Sequence, residues 1–190
     1  FPLTDMKALP KGKGVAIMGL APDCLLSDLT VFEPTSPPVL KGPKGPIKLA
    51  ADHLPEGGEV AVLSATTTST NQTPWIEEMN KVAGNYPNVK VVGTVYGDDL
   101  ADKSYREAQG LMQTYPNLKA IIAPTSVGIV AAAQAVTDAG KIGQVNVTGL
   151  GLPSEMAGHV KSGASKSFAI WNPIDLGYSA TMAAYRSEEH

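Results

Sequence analysis

The stretch PNLKAIIAPTSVGIVAAAQAVTDAG, residues 116–140, decides the fold. Its apolar centre, Ala120-Ile121-Ile122-Ala123, is short and shows no polar alternation, the pattern of a strand buried on both faces. Pro124, Thr125 and Ser126 follow at once, and Val127 to Ala139 is an alanine-rich run that favours helix until Gly140 stops it. Pro116 and Asn117 punctuate the entrance to the strand. Strand, short loop and helix thus occupy one compact unit.

The same unit repeats on both sides. Upstream, Ile47 to Leu54 has helical character and ends at Pro55-Glu56-Gly57-Gly58. Val60-Ala61-Val62-Leu63 then predicts a strand, Ser64 to Thr70 a polar loop, and Gln72 to Val82 a helix. After Tyr86-Pro87-Asn88, Val89 to Val95 predicts a strand. Asp99 to Tyr115 predicts a helix, with Tyr105, Ala108, Leu111, Met112 and Tyr115 at helical spacing. Downstream, Val145 to Thr148 predicts a strand and Ser154 to Val160 a short helix, with Ser154 as its cap and Glu155 in its first turn. Ser167 to Ile170 predicts a fifth strand, and Ile174 to Tyr185 a fifth crossover helix.

Five strands alternating with helices give an α/β fold: an open parallel five-stranded sheet with helices on both faces. Residues 1–46 follow no such plan. They form a Pro/Gly-rich extension of unclear role, with Gly14 to Leu20 and Leu29 to Phe32 as candidate strands and prolines crowding residues 34–46. The predicted division is therefore 1–46, the extension, and 47–190, an α/β ligand-binding lobe.

Composition narrows the functional classes. Of 190 residues, 43% are hydrophobic and 17% charged, which suffices for a packed core. The net charge of −3 comes without any run of lysines or arginines, which argues against a nucleic-acid partner and against anionic membrane surfaces. No run of about 18 apolar residues is present to span a membrane. A single cysteine, Cys24, excludes an internal disulfide, and His53, His159 and His190 are too scattered to suggest a metal site.

In an open parallel sheet, ligands bind outside the carboxyl ends of the strands. The relevant loops are Ser64–Gln72, Tyr96–Asp99, Pro124–Val127, Leu150–Pro153 and Trp171–Pro173. The first is dense in hydroxyl and amide groups, which suits a neutral polyol, and equally a helix start capped by Thr70 or Asn71. In the third, Pro124 and the Ser126 backbone face either a ligand or a helix that Thr125 or Ser126 caps. In the fifth, Trp171 beside Asn172 fits a sugar's apolar face with an amide for its hydroxyls; filling the core edge is the other reading. Asp98 and Asp99 suit the binding of a ligand's hydroxyls, but a capping role for Asp99 weighs more.

Motifs for catalysis are missing. There is no GxSxG elbow and no GxxxxGK[ST] phosphate cradle. Gly149-Leu150-Gly151 follows a strand, but Ser154 stands where a dinucleotide fingerprint needs its third glycine. Glu77 and Glu78 fall on a helix face expected to be solvated. We therefore expect no enzymatic activity, no catalytic residue, no metal and no cofactor.

Three loops taken together carry a resemblance. Ser64-Ala-Thr-Thr-Thr-Ser-Thr-Asn-Gln-Thr-Pro-Trp75, Tyr115-Pro-Asn-Leu-Lys-Ala-Ile-Ile-Ala-Pro124 and Phe168-Ala-Ile-Trp-Asn-Pro-Ile-Asp-Leu-Gly177 resemble the periplasmic sugar-binding proteins of ABC transporters. Within them they look closest to the rhamnose-binding subgroup, relatives of the autoinducer-binding proteins. The resemblance, over about residues 46–186, implies one lobe of a type I periplasmic-binding-protein fold, the C-terminal one. It also implies a first lobe before residue 47 and a short return segment after residue 186. Its ligand contacts fall on Asn71, Gln72, Pro124, Ser126, Trp171 and Asn172. The autoinducer-binding relatives carry an aspartate at the place of Asn71, and an amide there favours a neutral sugar. Gly151 stands near the aspartate of many pentose and hexose binders, which argues against a ribose-like ligand. The resemblance implies a monomer in the periplasm that binds rhamnose or a similar neutral sugar and hands it to a membrane permease. The competing reading is a sugar-sensing, repressor-type effector domain, which shares this architecture.

Overall fold

The computed structural model describes residues 30–32, 45–69 and 72–170. Eleven elements succeed one another: β1 (Thr30–Phe32), α1 (Gly45–Asp52), β2 (Gly58–Ser64), α2 (Gln72–Ala83), β3 (Val89–Tyr96), α3 (Ala101–Thr114), β4 (Leu118–Ala123), α4 (Ser126–Asp138), β5 (Asn146–Gly149), α5 (Pro153–Ser162) and β6 (Phe168–Ile170). The expected helix at Ile174 to Tyr185 and the candidate strand at Gly14 to Leu20 lie outside the described residues.

Strands β2 to β5 form one parallel sheet in the order β3-β2-β4-β5. The sequence predicts five strands in that sheet; its regular ladder holds four. β5 is only four residues long and ends at Gly149, whose φ of +143° turns the chain out of the ladder. β6 then reaches the sheet through a single parallel bridge, Leu150 to Ala169, supported by the Gly151 N–H donating to the Ala169 carbonyl at 3.0 Å. The main partner of β6 is β1, antiparallel, with Val31 opposite Ala169. The Pro/Gly-rich segment therefore contributes a strand, at the place the Leu29–Phe32 run suggested.

The uninterrupted apolar strands follow from helices on both faces. Along β2, Val60 and Val62 pack with Ile47, Ala50, Met79, Ala120 and Ile122 against α1 and α2. Their neighbours Ala61 and Leu63 point the other way, into a core with Ile121, Val147, Leu111, Ile129, Met156 and Phe168 under α3, α4 and α5. Each fully buried large side chain here stabilises the fold by roughly 1.5–3 kcal/mol. The alanines of α4 allow close packing, since Ala131, Ala132, Ala133 and Ala135 are all buried.

Two helix starts differ from expectation. Ser154 does not cap α5: the cap position is Leu152 without a side-chain bond, and Pro153 opens the helix. Proline suits that first position because its missing N–H has no partner to lose there, and its fixed φ is already helical. Thr125 does cap α4, accepting a hydrogen bond from the Gly128 N–H at 3.4 Å.

Candidate functional site

The parallel sheet brings its carboxyl ends to one edge, and hydrogen bonds join the loops there in sequence across the sheet. The Gly97 N–H donates to the Ser64 carbonyl at 2.9 Å and the Asp98 N–H to the Ala65 carbonyl at 2.8 Å, tying the β3 exit to the β2 exit. The Thr125 hydroxyl donates to the Asp99 carboxylate, tying the β4 exit to the β3 exit. The Leu150 N–H donates to the Ala123 carbonyl at 2.9 Å, tying β5 to β4.

The loop after β2 spends much of its polarity on itself. Gln72, the first residue of α2, is buried, and its amide oxygen accepts from the Ser64 hydroxyl at 2.7 Å and the Ala65 N–H at 2.8 Å. Thr66 and Ser69 hydroxyls meet at 3.1 Å, and the Thr73 hydroxyl donates to the Thr67 carbonyl at 3.3 Å. Thr67 and Thr68 are exposed at the tip. Residues 64–69 thus form an uncharged, internally bonded shelf.

After β3 the chain turns sharply. Asp98 and Asp99 both adopt left-handed backbone, φ 54° and 52°, and the Leu100 N–H returns to the Gly97 carbonyl at 2.9 Å. Positive φ at both central residues defines a type I′ turn, which aspartate tolerates better than most residues. The turn corrects the reading of Asp99 as a cap: α3 starts at Ala101, its cap position is Leu100, and no side chain bonds there. Gly97 permits the tight approach of α3, because a Cβ at that position would lie 2.0 Å from the Ser104 hydroxyl oxygen. Asp98 pairs with Lys103 at 2.5 Å, an exposed ion pair worth little to stability.

Of the residues expected to contact ligand, Gln72, Pro124 and Ser126 come together on the exits of the adjacent strands β2 and β4. Pro124 is buried and Ser126 half-buried as the first residue of α4. Asn71, Trp171 and Asn172 lie outside the described residues. The Asp99–Thr125 bond is a feature the sequence reasoning missed. Its only signal was a second acidic residue directly after a strand, a pattern shared with ordinary helix starts.

Among the described residues the edge holds hydroxyls, amides and two exposed carboxylates, and the one hydroxyl that meets a carboxylate, Thr125 on Asp99, is buried and also caps α4. A serine does meet a histidine elsewhere, with Ser167 Oγ and His53 Nε2 2.8 Å apart. Ser167 is wholly buried and precedes β6, away from the carboxyl ends of the strands. Among the described residues no three His, Cys, Asp or Glu side chains are grouped to hold a metal, and no helix is long and apolar enough to cross a membrane.

Comparison with known proteins agrees with this geometry. Residues 44–189 match the family model of the periplasmic binding protein domain, and the chain belongs to that family. The D-allose-binding periplasmic protein of Escherichia coli is 29% identical over 144 residues, covering 75% of this chain and 46% of that protein. A solute binding protein of an ABC transporter from Clostridium phytofermentas, solved with bound L-rhamnose, is 40% identical with a TM-score of 0.68, covering 72% of this chain and 44% of that one. A sugar ABC transporter structure from Actinomyces odontolyticus is 44% identical with a TM-score of 0.67, covering 70% and 44% respectively. The chain thus spans about half the length of these relatives.

Proposed function

We propose that this chain is the C-terminal lobe of a periplasmic solute-binding protein that recognises L-rhamnose or a similar neutral sugar without catalysis. The observation that carries the reading is the hydroxyl- and amide-rich carboxyl edge, in a chain 40% identical to a protein solved with L-rhamnose. Its hydroxyl and amide donors and acceptors match a neutral polyol, and the two carboxylates at the edge are engaged by Lys103 and Thr125. Ligand contacts are assigned to Asn71, Gln72, Pro124, Ser126, Trp171 and Asn172, with residues 47–190 as the lobe and 1–46 as an extension. The protein acts as a monomer in the periplasm and passes sugar to a transporter permease. None of the relatives named above is a repressor, so the sugar-sensing alternative is not favoured.

The test is titration of the purified chain with L-rhamnose, D-allose and D-ribose, followed by NMR chemical shifts. One lobe buries only part of a ligand, so saturation is expected only at about millimolar sugar, with L-rhamnose first. Shifts should concentrate at residues 66–72 and 124–126. Absence of saturation with all three sugars, from a chain that remains folded, would refute sugar binding; saturation by D-allose alone would refute the rhamnose assignment.

A further inference from the structure

We infer that Asp99 is a positioning residue for the ligand loop Pro124–Ser126, acting through the Thr125 hydroxyl; the inference rests on the sugar-binding reading above. The carboxylate is in an unusual place. Left-handed backbone at Asp98 and Asp99 closes the turn from Gly97 to Leu100, and the following helix makes no use of the Asp99 side chain. Its Oδ1 instead accepts from the Thr125 hydroxyl, 26 residues further along the chain.

That bond fixes the hydroxyl's polarity. Thr125 has one proton to donate, and the acceptor-only carboxylate takes it. The lone pairs of the same oxygen are then directed at the Gly128 N–H, the bond that caps α4. Thr125 is 5% exposed and lies between Pro124 and Ser126, so its rotamer and the backbone of both neighbours are settled together. Strand β2 separates β3 from β4 in the sheet, so no ladder bond joins the two exits that Asp99 connects. Without Asp99 the hydroxyl is free to rotate, the cap loosens, and the carbonyls and N–H groups of Pro124 to Ser126 lose their fixed aim. Preorganisation of this kind changes affinity more than it changes global stability.

The experiment is a double-mutant cycle of Asp99→Ala and Thr125→Val, with Asp99→Asn and Thr125→Ser as conservative partners. Two readouts are taken: amide hydrogen exchange across residues 124–129 without ligand, and L-rhamnose affinity. Asp99→Ala and Thr125→Val should each speed exchange of the Gly128 amide and each weaken L-rhamnose binding by about tenfold. The double variant should be no worse than either alone, because both remove the same bond. Asp99→Asn keeps an acceptor and Thr125→Ser keeps the hydroxyl, so both should retain affinity within about threefold. Additive losses in the double variant, or unchanged exchange at Gly128 in Asp99→Ala, would overturn the assignment. If the wild-type chain fails to bind any of the three sugars, the sugar reading falls, while the exchange data still decide whether Asp99 fastens the loop.

Discussion

Replacing Gly149 with alanine should cost this protein a large share of its stability, and the structure supplies the size of the effect. Gly149 closes β5 with φ of +143°, a region that L-residues rarely enter. Holding alanine there costs roughly 1–3 kcal/mol in backbone strain alone. The new Cβ would also stand 1.9 Å from the Ala123 carbonyl oxygen and 2.5 Å from its carbon, both backbone atoms at the end of β4. Relief requires β4 and β5 to separate, and the Ala123 carbonyl is the acceptor for Leu150 N–H at 2.9 Å. Losing that bond in a buried place adds about 1–2 kcal/mol. The total is roughly 2–5 kcal/mol, or a fall of about 10 °C in Tm for a chain of this size. Urea denaturation followed by circular dichroism measures it, with Gly110→Ala as the control. Gly110 lies inside α3 with open space around its Cβ position, so alanine there should stabilise by about 0.5–1 kcal/mol. A loss below about 1 kcal/mol in Gly149→Ala, with Gly110→Ala behaving as expected, would refute the strand-exit geometry.

Three further outcomes follow from side chains. Thr148 is fully buried and its hydroxyl has no partner among the described residues, so the near-isosteric Thr148→Val should raise the urea midpoint without changing the slope, a gain of about 1 kcal/mol. Gln72→Ala strips the acceptor from the Ser64 hydroxyl and the Ala65 N–H, and should destabilise by about 2–3 kcal/mol in the same assay. The Tyr105 hydroxyl donates to Asp138 at 3.0 Å, and this bond, then desolvation and the nearby carboxylate charge, raises its pKa above the usual 10.0. The neutral form is favoured in the fold, so this contribution is present below pH 10 and lost as pH rises through the raised pKa. In an ultraviolet tyrosinate titration, Tyr105→Phe should remove a late-ionising step.

Much of the fold was legible because two-sided burial leaves a plain mark in the chain. Val60 to Leu63 and Ala120 to Ala123 are apolar at every position since helices cover both faces. Boundaries were less legible because ladder hydrogen bonds ignore side-chain chemistry. β2 extends to Gly58 and Ser64, which pair with Val89 and Tyr96 although neither continues the apolar run. Val145 looked like strand, yet its N–H turns back to the Lys141 carbonyl and β5 begins one residue later. The start of α3 slipped from Asp99 to Ala101 because a left-handed turn occupies the two aspartates, and nothing local distinguishes that turn from a capped helix start. Gly149 and Gly151 looked like half of a nucleotide fingerprint. Their actual requirement is steric: one faces the Ala123 carbonyl, the other lies under Met156, Ile129 and Phe168.

The site shows where composition stops being informative. A loop of serines, threonines and a glutamine suits a polyol, but it suits its own backbone equally well, and both readings draw on the same groups. In the structure the Gln72 amide oxygen is committed to Ser64 and Ala65, and Thr66 and Thr73 bond within the loop. These bonds hold the loop's backbone in position. The same holds one strand over, where Thr125 divides its hydroxyl between Asp99 and Gly128. These internal bonds bear on the proposed binding. If sugar binds at this edge as proposed, groups already bonded in place spare its affinity the entropy of fixing them, and substitutions at the internal bonds should weaken binding before they unfold the lobe. Residues that touch the sugar and residues that hold those in place then separate by experiment: the first change affinity with hydrogen exchange unaltered, the second change both.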